Sequence, residues 1–161
     1  MYVDTDFAGC IETRKSTSGG CIVVGSHLVK HWSSTQKTIA LSSGEAELAG
    51  IVKGASEGMG LRSLARDMGL EMHIDLRADS TAAIGVCRRQ GIGKVRHLAV
   101  GQLWAQERLR SGDFDLYKHP GEYNPGDLLT KHMAQDGVSK RVKSMGTAWV
   151  EGRAHSAPQI Q

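Results

Sequence analysis

Cysteine, proline and aromatic residues are all sparse in this 161-residue chain: three Cys, three Pro, and 5% Phe, Trp and Tyr together. Cys10, Cys21 and Cys87 are odd in number and far apart, and form neither a Cys-x-x-Cys pair nor a Cys/His zinc pattern. A disulfide framework and a structural zinc site are therefore excluded, and free buried thiols in a reducing compartment are expected. No run approaches the about 18 consecutive apolar residues of a membrane span, and no basic-then-apolar leader opens the chain. A soluble intracellular protein of the cytoplasm or nucleus follows, with no membrane partner. Acid is missing altogether between residues 14 and 37, where Arg14, Lys15, Lys30 and Lys37 lie.

What is present fits one ordinary domain. Hydrophobic content is 40% and charged content 23%, and the length suffices for a sizeable core. The net charge of +3 is unevenly spread: residues 88–110 carry Arg88, Arg89, Lys94, Arg96, Arg108 and Arg110 against Glu107 alone. A basic segment on a nearly neutral chain points to an anionic partner such as a nucleic acid.

The pattern along the chain alternates strand and helix signals. "MYVDTD" reads as a short strand, "CIETRKSTSGG" (10–20) as a turn-rich loop, and "CIVVG" with "HLVKHW" as a hairpin about Ser26, with "TIAL" extending the sheet. In "ALSSGEAELAG" Ser42 and Glu45 make a capping box, and Leu48, Ile51, Val52 and Ala55 follow at helical spacing. Gly54, Gly58 and Gly60 weaken the second half, so a bend is expected before "LRSLARDMGL". "HIDLRADS" alternates as a strand, and "STAAIGVCRR" reads as a short helix. A helix from about Val95 to Arg110 would bury Val95, Leu98, Ala99 and Leu103. "DFDLYKH" is a strand, and "YNPGDLLTKHM" opens a last helix with Asn124 as N-cap and Pro125 first inside. The order predicts a mixed α/β domain, one sheet covered by helices. "GIGK" (91–94) is no phosphate loop, because Arg88 and Val95 stand where glycine and Ser/Thr are required.

Four acids stand at strand ends and helix starts: Asp4 after an apolar strand start, Glu47 in the first turns of the main helix, Asp79 at a strand-to-helix turn, and Asp127 near the last helix start. Each could simply stabilise a helix N-terminus or cap it. Brought together at one end of a sheet, they would repel one another unless cations were bound. Hard oxygen ligands in that number suit Mg²⁺ or Mn²⁺, and two such ions about 3.5–4 Å apart can activate water and stabilise a leaving oxygen.

"YVDTDFAGC…TRKSTSGG", "HWSSTQKTIALSSGEAEL", "ADSTAAI" and "VRHLAV…NPGDLLTKHM" together resemble, in order, the ribonuclease H domain of copia-type retrotransposon polyproteins. The resemblance covers residues 1–134, leaving 135–161 as a C-terminal extension, partly disordered. It implies a ribonuclease H-like fold, a five-stranded mixed sheet flanked by helices, and hydrolysis of the RNA strand of an RNA–DNA hybrid with Mg²⁺ or Mn²⁺, two ions. It implies that Asp4, Glu47, Asp79 and Asp127 hold the metals; His119 stands where many ribonucleases H carry a loop histidine for proton transfer or product release, but where the copia pattern usually has an apolar residue. A reverse transcriptase domain of the same polyprotein is an implied partner. Phe7, Leu48 and Gly126 depart from the family's usual Trp, Tyr and Ala, and none removes a ligand.

Substrate contacts are expected from Ser42, Ser43 and Ser80 to sugars, and from Arg14, Lys15, Lys94 and Arg96 to phosphates. His97 is expected to pack within its helix. The competing readings are a ribonuclease H-like module that binds or tethers nucleic acid without cutting it, and an integrase or transposase core of the same fold. Retention of all four acids disfavours the first, and the early position of "SSGEAE" disfavours the second.

Overall fold

The computed structural model describes residues 1–91, 99–148 and 152. Five strands, β1 (Tyr2–Thr5), β2 (Thr17–Val24), β3 (His27–Thr35), β4 (Asp75–Ala78) and β5 (Asp115–Lys118), form one sheet in the order β3-β2-β1-β4-β5. β1 is antiparallel to β2 and parallel to β4, β3 is antiparallel to β2, and β5 is parallel to β4. The helices are α1 (Ser43–Asp67), α2 (Thr81–Arg88), α3 (Ala99–Arg110) and α4 (Gln135–Ser144), with short 3₁₀ turns at Gly121–Tyr123 and Pro125–Leu129. The architecture is α/β, a five-stranded mixed sheet flanked by helices, as a ribonuclease H-like domain has.

β1 is central, and its alternation sorts the two faces. Val3 and Thr5 point at α1, whereas Asp4 lies against Gly126 on the far side. The core is built from Val3, Ile51, Ala55, Leu76, Ile84, Phe114 and Leu116, with Ala78, Ala83 and Ala105 allowing close approach. No helix among the described residues is long and apolar enough to cross a membrane.

Several local expectations are corrected. α1 runs unbroken for 25 residues, without the bend expected before Leu61. Gly50 and Gly54 form part of the surface that meets the sheet: a Cβ on Gly50 would come within 2.6 Å of Thr5 Cγ2, and one on Gly54 within 2.5 Å of Val3 Cγ1. Packing on β1 outweighs their low helix propensity of about 1 kcal/mol each. Thr17–Gly20, expected in a loop, are the first half of β2, and Gly19 is there because Leu129 and Thr130 lie against it. "TIAL" (38–41) is not a strand.

α3 differs too. Of its four expected core positions, Val95 and Leu98 lie outside the described residues and Leu103 is exposed. Ala105 and Gln106 are buried instead. Gln106 meets the cost of burial with three bonds: its amide donates to the Val86 and Gly91 carbonyls, and its Oε1 accepts from the Gly91 N–H. The Asn124 cap and Pro125 fall where expected, yet they open only the 3₁₀ turn Pro125–Leu129, and a separate helix, α4, begins at Gln135. Cys21 and Cys87 are buried and Cys10 half-buried, all three as free thiols.

Candidate metal centre

Asp4 is carried by the central strand and is completely buried. Asp79 follows the end of the parallel neighbour β4, so β1 and β4 deliver both carboxylates to the same end of the sheet. α1 begins over that end. Ser42 is its N-cap, accepting from the Glu45 N–H at 3.3 Å, and Glu45 Oε2 accepts from the Leu41 N–H at 2.7 Å. The capping box is thus displaced by one residue, and Glu45 serves the helix start. Glu47, two residues on and so about 200° around the helix, turns inward.

Asp4, Glu47 and Asp79 each bring one carboxylate oxygen within 4.8 Å of the others. Burial, followed by the charges of Asp79 and Asp4, pushes the Glu47 carboxyl up to about 8. Glu47 Oε2 is buried and has no hydrogen-bond partner among the described residues. Burial likewise lifts Asp4 to about 6, against the opposing Thr130 hydrogen bond and Lys131 charge. An orphaned buried oxygen within a set of hard donors fits a divalent cation.

Asp127 lies beside Asp4 but outside this trio. Its Oδ1 is 2.7 Å from Lys131 Nζ, and its Oδ2 is 2.5 Å from Arg141 Nη2. Burial opposes its ionisation, yet the bonds and charges of Lys131 and Arg141 prevail and hold it below its ordinary value. Lys131 also reaches Asp4 Oδ1 at 3.2 Å, and the Thr130 hydroxyl donates to Asp4 Oδ2. Sequence reasoning missed these partners. Lys131, four residues after Asp127, carried the i,i+4 signal of an ion pair. Arg141 carried none, because it stands in the segment set apart as an extension.

His119 does not join the carboxylates. Its backbone N–H donates to Ala78 O at 2.9 Å, its Nε2 is 3.3 Å from the Tyr123 carbonyl oxygen, and its ring meets Tyr2 edge-on, centroids 5.0 Å apart. Its loop nevertheless wraps the centre, since a Cβ on Gly121 would come within 2.9 Å of Asp79 Oδ2. Ser80 caps α2 by accepting from the Ala83 N–H. Ser43 and Arg14 are exposed and Lys15 is half-buried. Lys94, Arg96 and His97 lie outside the described residues. Along α1, on the side that carries Glu45, a groove of about 690 Å³ opens between Gln36, Lys37 and Thr38 on one side and Leu48 and Val52 on the other.

A second grouping, His73, Asp75 and Asp115, stands at the opposite end of β4 and β5. It is an exposed ion-pair set, with His73 Nε2 2.9 Å from Asp115 Oδ2.

No family profile matches the chain. Three retrovirus-related Pol polyproteins of transposons are similar to it: that of TNT 1-94 from Nicotiana tabacum, 29% identical over 132 residues, and those of RE1 and RE2 from Arabidopsis thaliana, 24% identical over 152 and 25% over 137. These alignments cover 81%, 92% and 83% of this chain but only 10%, 10% and 9% of the polyproteins. The chain therefore spans about a tenth of the length of these relatives, and is similar to one stretch of copia-type Pol polyproteins.

Proposed function

We propose that this domain is a metal-dependent endoribonuclease that cuts the RNA strand of RNA–DNA hybrids within retrotransposon reverse transcription. The observation that carries the reading is the convergence of Asp4, Glu47 and Asp79, with their oxygens within 4.8 Å and Glu47 Oε2 unpartnered. The similarity to Pol polyproteins of transposons supports the setting.

In this reading Asp4, Glu47 and Asp79 would hold Mg²⁺ or Mn²⁺, and Asp127, beside Asp4, would complete the acidic set. A divalent cation there supplies the acidity that activates water and the charge that neutralises a leaving 3′-oxygen, and a pair of ions would divide these tasks. Burial of the carboxylates keeps bulk water from screening them. The Asp4 carboxylate accepts from the Thr130 hydroxyl, which helps to fix its orientation before substrate arrives. His119, on the loop that wraps Asp79, is assigned to proton transfer near the products, which carry 5′-phosphate and 3′-hydroxyl ends.

Arg14 and Lys15 on the loop before β2 contact phosphates, as do Lys94 and Arg96. Ser42, Ser43 and Ser80, at the two helix starts flanking the acids, contact sugars. Such contacts recognise backbone and 2′-hydroxyls and are indifferent to base sequence. A reverse transcriptase domain is the natural neighbour within a longer polyprotein.

The test offers the protein a labelled RNA–DNA hybrid, double-stranded RNA and double-stranded DNA with Mg²⁺, Mn²⁺ or chelator. Cutting of the hybrid alone, abolished by chelator, is expected. Binding without cutting under all conditions would instead identify a tethering module.

A further inference from the structure

Asp4 belongs to two groupings at once. One of its neighbourhoods is the carboxylate trio; the other is cationic. Lys131 Nζ lies 3.2 Å from Asp4 Oδ1 and 2.7 Å from Asp127 Oδ1, a single ammonium joining carboxylates that are far apart in the chain. Its side chain is 44% exposed, whereas those of Asp4 and Asp127 are 0% and 7% exposed. Lys131 thus reaches in from the surface to two buried acids.

Arg141 is differently placed. Its side chain is only 15% exposed, it is 2.5 Å from Asp127 Oδ2, and its Nε also donates to the Asn124 carbonyl oxygen at 3.2 Å. The guanidinium is fixed by a fork of bonds across α4 and the turn, and it keeps Asp127 paired whatever Lys131 does. The lysine ammonium is a compact point charge on a flexible stem, and from a side chain already 44% exposed it can leave Asp4 for solvent.

A buried carboxylate facing Glu47, Asp79 and Asp127 requires positive charge close by. We propose that Lys131 is an internal counter-cation of the metal centre: it holds Asp4 in the metal-free protein and is displaced from Asp4 when a divalent cation binds. This rests on the reading of Asp4, Glu47 and Asp79 as a metal site. The consequence is a built-in competition. Each divalent ion that enters must break the Lys131–Asp4 pair, so the affinity of the centre is the difference between the two interactions. The free centre meanwhile stays folded without metal, because its acids are not left facing one another alone.

The experiment uses the full chain and Mn²⁺ alone. Lys131→Met is expected to melt at a lower temperature than the unaltered protein in chelator, yet to bind Mn²⁺ at least tenfold more tightly by calorimetry. A lysine that merely supported the fold would lower the melting temperature without tightening Mn²⁺. Reductive methylation of the unaltered protein gives a second readout that needs no variant: Mn²⁺ should accelerate modification of Lys131 and leave Lys140, exposed on α4, unchanged. Unchanged or weaker Mn²⁺ affinity in Lys131→Met overturns the proposal, as does a Lys131 methylation rate that Mn²⁺ does not alter. Should Lys131→Met fail to fold, the methylation rate decides. Absence of Mn²⁺ binding in both proteins overturns the metal-site reading with it, whereas binding without Lys131 release overturns the displacement alone.

Discussion

The Asn124 side-chain amide donates to the Val3 carbonyl oxygen at 2.8 Å, joining residues 121 apart in sequence. The same side chain accepts from the Gly126 N–H at 3.0 Å and caps the turn that carries Asp127. One completely buried amide therefore ties that turn to the strand that carries Asp4. Removing it leaves the Val3 carbonyl without this donor and the Gly126 N–H uncapped.

Asn124→Ala is accordingly expected to cost on the order of 2–3 kcal/mol, combining a lost cap with unsatisfied buried groups. Urea unfolding measures it. Asn124→Asp, which sets a buried carboxyl against the Val3 carbonyl oxygen and close to Asp4, should cost at least as much.

The α1 glycines separate packing from propensity. Gly54→Ala would place a methyl 2.5 Å from Val3 Cγ1 and push α1 off the central strand. Gly60 has nothing within 4 Å of such a methyl, so Gly60→Ala should gain about 1 kcal/mol from helix propensity. Thermal melts of the two variants are expected to move in opposite directions. Both moving upward would mean that α1 does not seat on β1 as described.

How much of this was legible in the sequence follows from where the information lies. Asp4, Glu47 and Asp79 could be singled out because strand ends and helix starts are visible in local patterns, and parallel pairing of β1 with β4 does the rest. Gly54 and Gly58 were misread because propensity is a property of one residue, while their role is set by Val3, Met1 and Ile74 across the interface. Thr17–Gly20 looked like a loop for the same reason: Gly19 is in β2 because Leu129 and Thr130 lie against it. Gln106 reads as a polar break in an apolar face, and only its three bonds justify its burial. Arg141 could not have been found at all, since no local pattern links α4 to Asp127.

Glu45 and Glu47 should part company under substitution. Glu45→Gln keeps an oxygen that accepts from the Leu41 N–H, so hybrid cleavage and stability should change little. Glu47→Gln removes a charged oxygen from the trio and should abolish Mg²⁺-dependent cleavage while the protein remains folded by circular dichroism. Equal behaviour of the two variants would remove the distinction between cap and ligand.

His119→Ala offers a narrower test of proton transfer. The imidazole contacts Tyr2 and the Tyr123 carbonyl oxygen but none of the trio. Calorimetric Mn²⁺ affinity should therefore stay as it is, while the cleavage rate falls about 10²-fold, a typical magnitude for loss of a proton-transfer group. A variant that loses metal affinity in step with activity would show the histidine to be structural.

The metal-free protein should also lose stability as pH rises, in a window set by Glu47. Its folded carboxyl titrates at about 8 against an ordinary 4.5. Between those values the folded state keeps a proton that the unfolded chain has released, so each step up in pH favours unfolding. The contribution is whole below about 4.5 and gone once pH has passed about 8. Asp4, lifted from 3.8 to about 6, adds to the fall at the acid end of that window. Melting temperatures in chelator should thus decline from pH 5 to pH 8. Glu47→Gln, neutral throughout, should flatten the decline above pH 6, where Asp4 no longer contributes. Mn²⁺ should reverse it in the unaltered protein, because the ion favours the ionised carboxylates. A melting temperature that is independent of pH in chelator, or a Glu47→Gln profile that falls as steeply as the original, would show that Glu47 is not the buried acid that opposes folding at neutral pH.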